Sequence, residues 1–169
     1  LLPLKSEENI AGILSVKQFE EGKNVLIVTE RGVVKKTSLM AYSKPRQGGI
    51  IGLTIDEDDR VIAAGLTDGS QEILMVTENG YSIRFREDEV RIIGRTGRGV
   101  RGIRLKSGDR VVGACVVQPE TTILTVTDKG YGKRTQLYEY PVQGRGGMGV
   151  ITIKCNEKIG LVIGVEQVL

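Results

Sequence analysis

Three stretches decide how this chain folds: Val25-Leu-Ile-Val-Thr-Glu-Arg-Gly32, Glu72-Ile-Leu-Met-Val-Thr-Glu-Asn-Gly80 and Thr122-Ile-Leu-Thr-Val-Thr-Asp-Lys-Gly130. Each is a β-branched run closed by an acidic or polar residue and a glycine. That is a strand entering a hairpin, because glycine reaches positive φ without steric cost. Residues 33–38, 81–85 and 131–136 read as the returning strands. Further out, each copy reaches a second glycine-rich corner and another expected strand: Gly48-Gly49-Ile-Ile-Gly52-Leu-Thr-Ile55, Gly97-Arg-Gly99-Val-Arg-Gly102-Ile-Arg-Leu105 and Gly144-Arg-Gly146-Gly147-Met-Gly149-Val-Ile-Thr-Ile153. Aligned without gaps, these corners put Arg98 and Arg145 in one register. An acidic or polar turn then leads to closing strands expected over 61–66, 111–117 and 159–165.

The unit repeats every 48 to 50 residues or so and holds four short strands, the arithmetic of a propeller-like blade. No segment sustains a 3.6-residue period over three turns, so an all-β fold with little helix is expected. The copies divide the chain into residues 25–72, 73–120 and 121–169, with 1–24 as the end of a preceding blade. Within 1–24, residues 8–14 resemble a closing strand of an earlier copy. With no initiator Met and an apolar run at the other end, the chain reads as a segment of a longer polypeptide.

Composition excludes much. Among 169 residues there is no His, which removes Ser-His-Asp and Cys-His catalysis, His-based metal sites and the usual base near neutral pH. Cys115 and Cys155 lie in apolar stretches and read as reduced core residues, too few for a zinc site. No phosphate loop is present, and the G-x-G-x-x-G matches at 97–102 and 144–149 run into strand-like rather than helical sequence, against a dinucleotide site. No catalytic residue, metal site or cofactor is therefore expected. Nothing approaches a membrane span or a signal peptide, so a cytoplasmic protein is expected.

The net charge of +3 conceals sorting. Residues 31–47 carry five bases and no acid, 84–104 seven bases against three acids, and 129–145 four against one, while acids collect in other turns such as 56–59. If the copies are blades, these basic segments line one rim, and Lys36, Arg84 and Arg134 recur there in one register. Such a rim suits the phosphates of duplex DNA, contacted without sequence readout, and the scarcity of aromatics argues against base stacking. The expected contacts are Lys35, Lys36, Lys44, Arg46, Arg84, Arg95, Arg98, Arg101, Lys133, Arg134 and Arg145. On this reading, reversing Lys36, Arg84 and Arg134 weakens DNA binding at little cost in stability. Tyr42, Tyr138 and Tyr140 sit in loops beside bases, within reach of phosphate or, for Tyr140 before Pro141, in a rigid turn. A propeller-type platform for an acidic protein partner is the alternative from another class.

Several motifs resemble one family. Leu1-Leu-Pro-Leu4, Val28-Thr-Glu-Arg-Gly32-Val-Val-Lys-Lys-Thr37, Leu124-Thr-Val-Thr-Asp-Lys-Gly-Tyr-Gly-Lys-Arg-Thr135, Gly99-Val-Arg-Gly-Ile-Arg-Leu105 and Glu139-Tyr-Pro141 are similar to the C-terminal domain of bacterial DNA gyrase A. The resemblance implies a β-pinwheel whose blades exchange strands, and a role in wrapping duplex DNA for negative supercoiling. It also implies the rest of gyrase A, together with gyrase B, as partners in a heterotetramer, with ATP and Mg used elsewhere in that enzyme. The family's hallmark Gln-Arg-Arg-Gly-Gly-Lys-Gly has a degenerate echo at Gln143, Arg145, Gly146, Gly147 and Gly149, with Gly144 and Met148 where the hallmark is basic. The corresponding domain of topoisomerase IV is the rival within the family.

Overall fold

The structure is a computed structural model that describes residues 3–169; Leu1 and Leu2, half of the Leu1 to Leu4 match, lie outside the described residues. The three decisive stretches form hairpins as expected: β1 (Asn24–Thr29) with β2 (Val33–Ser38), β4 (Glu72–Thr77) with β5 (Tyr81–Arg86), and β8 (Thr122–Thr127) with β9 (Gly132–Gln136). Closing strands β3 (Val61–Thr67), β7 (Val111–Val116) and β11 (Val162–Val168) pair antiparallel with β1, β4 and β8. Single 3-10 turns at Leu39–Tyr42, Glu87–Glu89 and Leu137–Glu139 follow the returning strands, and no α-helix occurs among the described residues.

The fourth strand of a sheet comes from the next copy. β6 (Val100–Arg101) adds to β2, and β10 (Val150–Ile151) adds to β5, giving the orders β3-β1-β2-β6, β10-β5-β4-β7 and β11-β8-β9. The long corner strands expected at 97–105 and 144–153 therefore shrink to two residues, and the one at 48–55 forms no strand. The cause is the end of the partner's edge. After pairing for two residues, the backbone turns so that Gly102 and Ile103 N–H both donate to Gly32 O, at 2.7 and 3.4 Å, and Thr152 and Ile153 repeat this on Gly80 O at 2.8 and 3.4 Å. Residues 48–55 have no hairpin edge beside them among the described residues.

Two further expectations are corrected. Residues 8–14 form no strand and lie exposed apart from a partly covered Leu14, Ile13 at 85%, with no partner strand alongside among the described residues. The last closing strand begins at Val162 rather than 159, because the Asn156 side chain accepts from the N–H of Lys158 and Ile159 and its carbonyl accepts from Gly160, holding 156–160 as a turn. The corner register also shifts. Left-handed glycines fix it at Gly49 (φ 82°), Gly99 (φ 89°) and Gly149 (φ 75°), so Arg95, not Arg98, stands level with Arg145. A Cβ on Gly149 would collide with Ser82 O, and on Gly99 it would stand 2.6 Å from Val34 O.

The closing strands pack against one another: a Cβ on Gly65 of β3 would lie 2.8 Å from Val116 of β7, and Gly113 of β7 abuts Val165 of β11. They are therefore innermost, and the exchanged strands with their corners are outermost. Between lie two cores. One joins Leu26, Val28 and Val34 to Met75, Phe85 and Ile103; the other joins Leu74 and Val76 to Ile123, Tyr140 and Ile153. Ile103 and Ile153 enter these cores from the copy that donates the strand. Ile103→Ala should cost about 2–5 kcal/mol, since it both removes buried methylenes and leaves a cavity; urea unfolding followed by circular dichroism checks this.

Candidate functional site

The recurring cations Lys36, Arg84 and Arg134 do share a register, opposite Leu26, Leu74 and Leu124. Their heads, however, are tied into the fold. Lys36 is buried, and its Nζ donates to Glu87 O at 2.8 Å and pairs with Glu87 Oε2 at 3.4 Å. Glu87 is 0% exposed, and its other oxygen accepts from Gly69 and Gln71 N–H. Arg84 pairs with Glu72 at 2.5 Å and donates to Leu137 O and Tyr140 O, one 3-10 turn further along the chain. Arg134 donates to Thr122 Oγ1 and Leu169 O. Lys36 and Arg84 thus lace each blade to the next one's 3-10 turn.

Lys35 and Lys133 play a similar part. Lys35 is 1% exposed and its Nζ donates to Gly52 O at 2.6 Å and to Arg95 O, while Lys133 donates to Thr152 O at 2.9 Å, the level equivalent of Gly52. Burial, helped by the Arg95 guanidinium, pulls the Lys35 pKa from 10.5 to about 8. Arg95 donates to Ile51 O and Arg145 to Arg101 O, the same bond in successive copies, and Arg145 also binds Glu89. In the hallmark-like corner, Gln143 N–H donates to Arg84 O, Gly146 N–H to Gly102 O, and Gly147 O accepts from Arg104 N–H. Gly149 abuts Ser82, so this corner is a joint between sheets.

Arg98, Arg101, Lys44 and Arg46 remain exposed on the outer corners, Arg98 paired with Asp56 and the other three without a side-chain partner among the described residues. Arg91, Arg104 and Lys154, absent from the expected set, stand exposed beside them. The signal that finds them is the absence of acids rather than the recurrence of bases. Residues 43–55, 91–106 and 141–154, the outermost segments, hold ten of the 24 bases and none of the 21 acids. The remainder of the chain is net acidic.

The acids have their own arrangement on the hairpin turns. Arg110 bridges Glu30 of the first hairpin, at 3.0 Å, and Glu78 of the second, at 2.9 Å, and Arg60 also binds Glu30. Tyr140 is buried with its hydroxyl 2.6 Å from Thr152 Oγ1, which removes it from phosphate contact, whereas Tyr138 is 81% exposed. Both cysteines are free thiols, and burial pushes the Cys115 thiol up to about 12, leaving it unreactive at neutral pH. Among the described residues no cluster of three or more His, Cys, Asp or Glu could hold a metal ion, and no helix is long and apolar enough to cross a membrane.

Sheets completed by a neighbour's strand, packed through their innermost strands and fringed by bases, define a strand-exchanging, propeller-like β domain. The chain belongs to the family described as "DNA gyrase C-terminal domain, beta-propeller", whose sequence model matches residues 23–68, 71–118 and 121–168. It is 48% identical to DNA gyrase A of Salmonella typhimurium, and 44% to that of Haemophilus influenzae, over 101 residues, 60% of this chain and 12% of each relative. Among solved structures it is similar to the C-terminal domain of DNA topoisomerase IV (TM-score 0.92, 32% identity, 99% of this chain and 53% of that one). It is also similar to the DNA gyrase A C-terminal domain (TM-score 0.88, 25% identity, 99% and 56%). The chain thus spans about an eighth of the curated relatives and just over half of the solved domains.

The laced cations carry two expected outcomes. Lys36→Met should destabilise the fold by about 3–5 kcal/mol, because it strands the Glu87 carboxylate without its buried partner; denaturant unfolding reads it. Between pH 8 and 10.5 the folded chain has released the Lys35 proton while the unfolded chain retains it, so stability should rise with pH across that window. Lys35→Met should flatten that rise, measured as the urea midpoint against pH.

Proposed function

We propose that this chain is a non-catalytic duplex-DNA-binding and wrapping domain of a DNA gyrase A protein. In the whole ATP-dependent type IIA topoisomerase it supports negative supercoiling. The observation that carries this is the make-up of the outermost segments 43–55, 91–106 and 141–154: ten bases and no carboxylate of their own, with Asp56 and Glu89 from adjoining turns taken up by Arg98 and Arg145. Phosphates repel carboxylates as strongly as they attract guanidinium groups, so a surface poor in acids and curved with the blade series suits a bent polyanion. The corner N–H groups of Gly102, Gly146 and Thr152 are engaged between sheets, which leaves side chains as the main phosphate contacts. The contacts are Lys44, Arg46, Arg91, Arg98, Arg101, Arg104 and Lys154, with Lys133 and Arg134 at the flank. Lys35, Lys36, Arg84, Arg95 and Arg145 act by holding that surface together.

On the same reading the chain works in the bacterial cytoplasm on the nucleoid, joined to the rest of gyrase A and, with gyrase B, forming a heterotetramer. ATP and Mg would act elsewhere in that enzyme, and this segment would bind neither. A role in topoisomerase IV is the second reading, favoured by the similarity to the solved domain of that enzyme. A supercoiling assay of the parent enzyme with and without this domain distinguishes them: loss of negative supercoiling with retained relaxation supports gyrase.

Binding to duplexes of about 20 and 100 base pairs should strengthen with length and fall with salt, log K against log salt having a slope near −4 to −5 if about five phosphates are neutralised. Replacing Arg98, Arg101 and Arg104 with Gln should reduce that slope by roughly 2–3 at unchanged stability. Length-independent binding would instead favour a protein partner.

A further inference from the structure

The second and third outer corners share one backbone and differ in what they show to solvent. Gly99 and Gly149 make the same left-handed turn, Val100–Arg101 and Val150–Ile151 join β2 and β5 in the same way, and Ile92 and Val142 bridge Lys36 and Arg84. Matched on that frame, Arg91, Arg98 and Arg101 of the second corner give way to Pro141, Met148 and Ile151 of the third, and only Arg104 keeps its charge, as Lys154. Met148 is 43% and Ile151 58% exposed. Val142, also exposed, lies further along the same β5 edge, opposite Arg84 where Ile151 is opposite Tyr81.

Exposure at these positions is set by their place in the repeat. The second corner has the third docked against it, through Gly146 N–H on Gly102 O and Arg145 on Arg101 O, and Ile92, Arg98 and Arg101 are exposed there all the same. The fold therefore takes a charged residue at positions 148 and 151 as readily as an apolar one, and burial is not what selects methionine and isoleucine. Their surroundings are cationic. Arg104 N–H donates to Gly147 O at 2.8 Å, which brings Arg104 beside Met148, and Lys154 is exposed past the buried pair Thr152 and Ile153. Residues 141–154 hold no acid, and Glu89 from the adjoining turn is taken up by Arg145. An apolar patch made for a protein needs no such clearing of carboxylates, whereas one that lies against a polyanion does. A duplex resting on Arg98 and Arg101 meets Met148 and Ile151 at the same level one corner on. Apolar side chains engage DNA by entering the minor groove and parting base steps.

We propose that Met148 and Ile151 form a wedge that enters the minor groove and kinks the duplex at the third corner, while the second corner grips phosphates. This rests on the duplex-DNA reading above and adds to it a source of sequence preference. Pyrimidine–purine steps unstack most easily, so the wedge favours a TpA or CpA step one corner away from the arginine cluster, a preference read through deformability rather than base edges. The bend is then concentrated at one corner instead of spread evenly along the layer.

The test uses the 169-residue chain. Its probes are two duplexes of about 40 base pairs, one with central TpA steps and one a mixed homopurine–homopyrimidine control, both carrying a fluorescent adenine analogue that brightens when unstacked. The chain should brighten the TpA duplex on binding and hold it about threefold or more tighter than the control at equal salt. Met148→Gln with Ile151→Gln should abolish the brightening and the preference and leave the salt slope unchanged, since no phosphate contact is lost. Met148→Arg with Ile151→Arg, the residues that occupy these positions in the second corner, should abolish the brightening and steepen the slope by roughly 2. Salt-dependent binding of both duplexes without brightening, or brightening that survives in the variants, overturns the wedge and leaves the DNA-binding reading standing, with the apolar corner left to a protein partner. Absence of binding to either duplex overturns both.

Discussion

The structure depends on a carbonyl that accepts twice. Gly32 O and Gly80 O each receive two consecutive N–H groups from the following copy, and those bonds dock the donated strand, aim the plug residues Ile103 and Ile153 into the cores and set where the outer corner turns outward. A three-stranded hairpin sheet has an open edge that must be covered or blunted. Here the cover is the neighbour, so blade stability and blade order are the same property. The buried Lys36–Glu87 pair and the Arg84 contacts on Leu137 and Tyr140 reinforce the junction from the returning strand, and Arg110 reinforces it at the hairpin turns.

Hairpins and closing strands are legible in the sequence because their signals are local. A β-branched run followed by Gly32, Gly80 or Gly130 specifies a turn without reference to anything distant. The exchanged strand is not legible in its true extent. Val100–Arg101 and Val150–Ile151 are too short for periodicity to register, and their partners lie more than sixty residues earlier in the chain. Corner register misleads for a related reason. Matching Gly-Arg-Gly text aligns Arg98 with Arg145, whereas backbone conformation at Gly49, Gly99 and Gly149 aligns Arg95 with it.

The site is half legible. Recurrence of Lys36, Arg84 and Arg134 in one register reads as a binding pattern, but a repeated structural tie recurs in register just as faithfully. Sequence cannot say whether a cation on a strand points its head at solvent or at a carbonyl one blade away. What distinguishes the outer layer is where carboxylates are missing, visible in residues 91–106 once the exchanged segment is known to be outermost. Lys35 shows the other side of this: a basic residue whose neighbours are carbonyls and another cation, so that its charge burdens the fold rather than serving its surface.

Strand exchange also determines how the assembly bears force. Arg101 lies on a strand whose hydrogen bonds belong to one sheet and whose covalent continuation belongs to the next. A pull on anything gripped at that residue is divided between two blades, one loaded in shear along its edge and the other along its chain. The outermost layer is thus a chain of lap joints, in which tension along the circumference passes from blade to blade without concentrating on any single sheet.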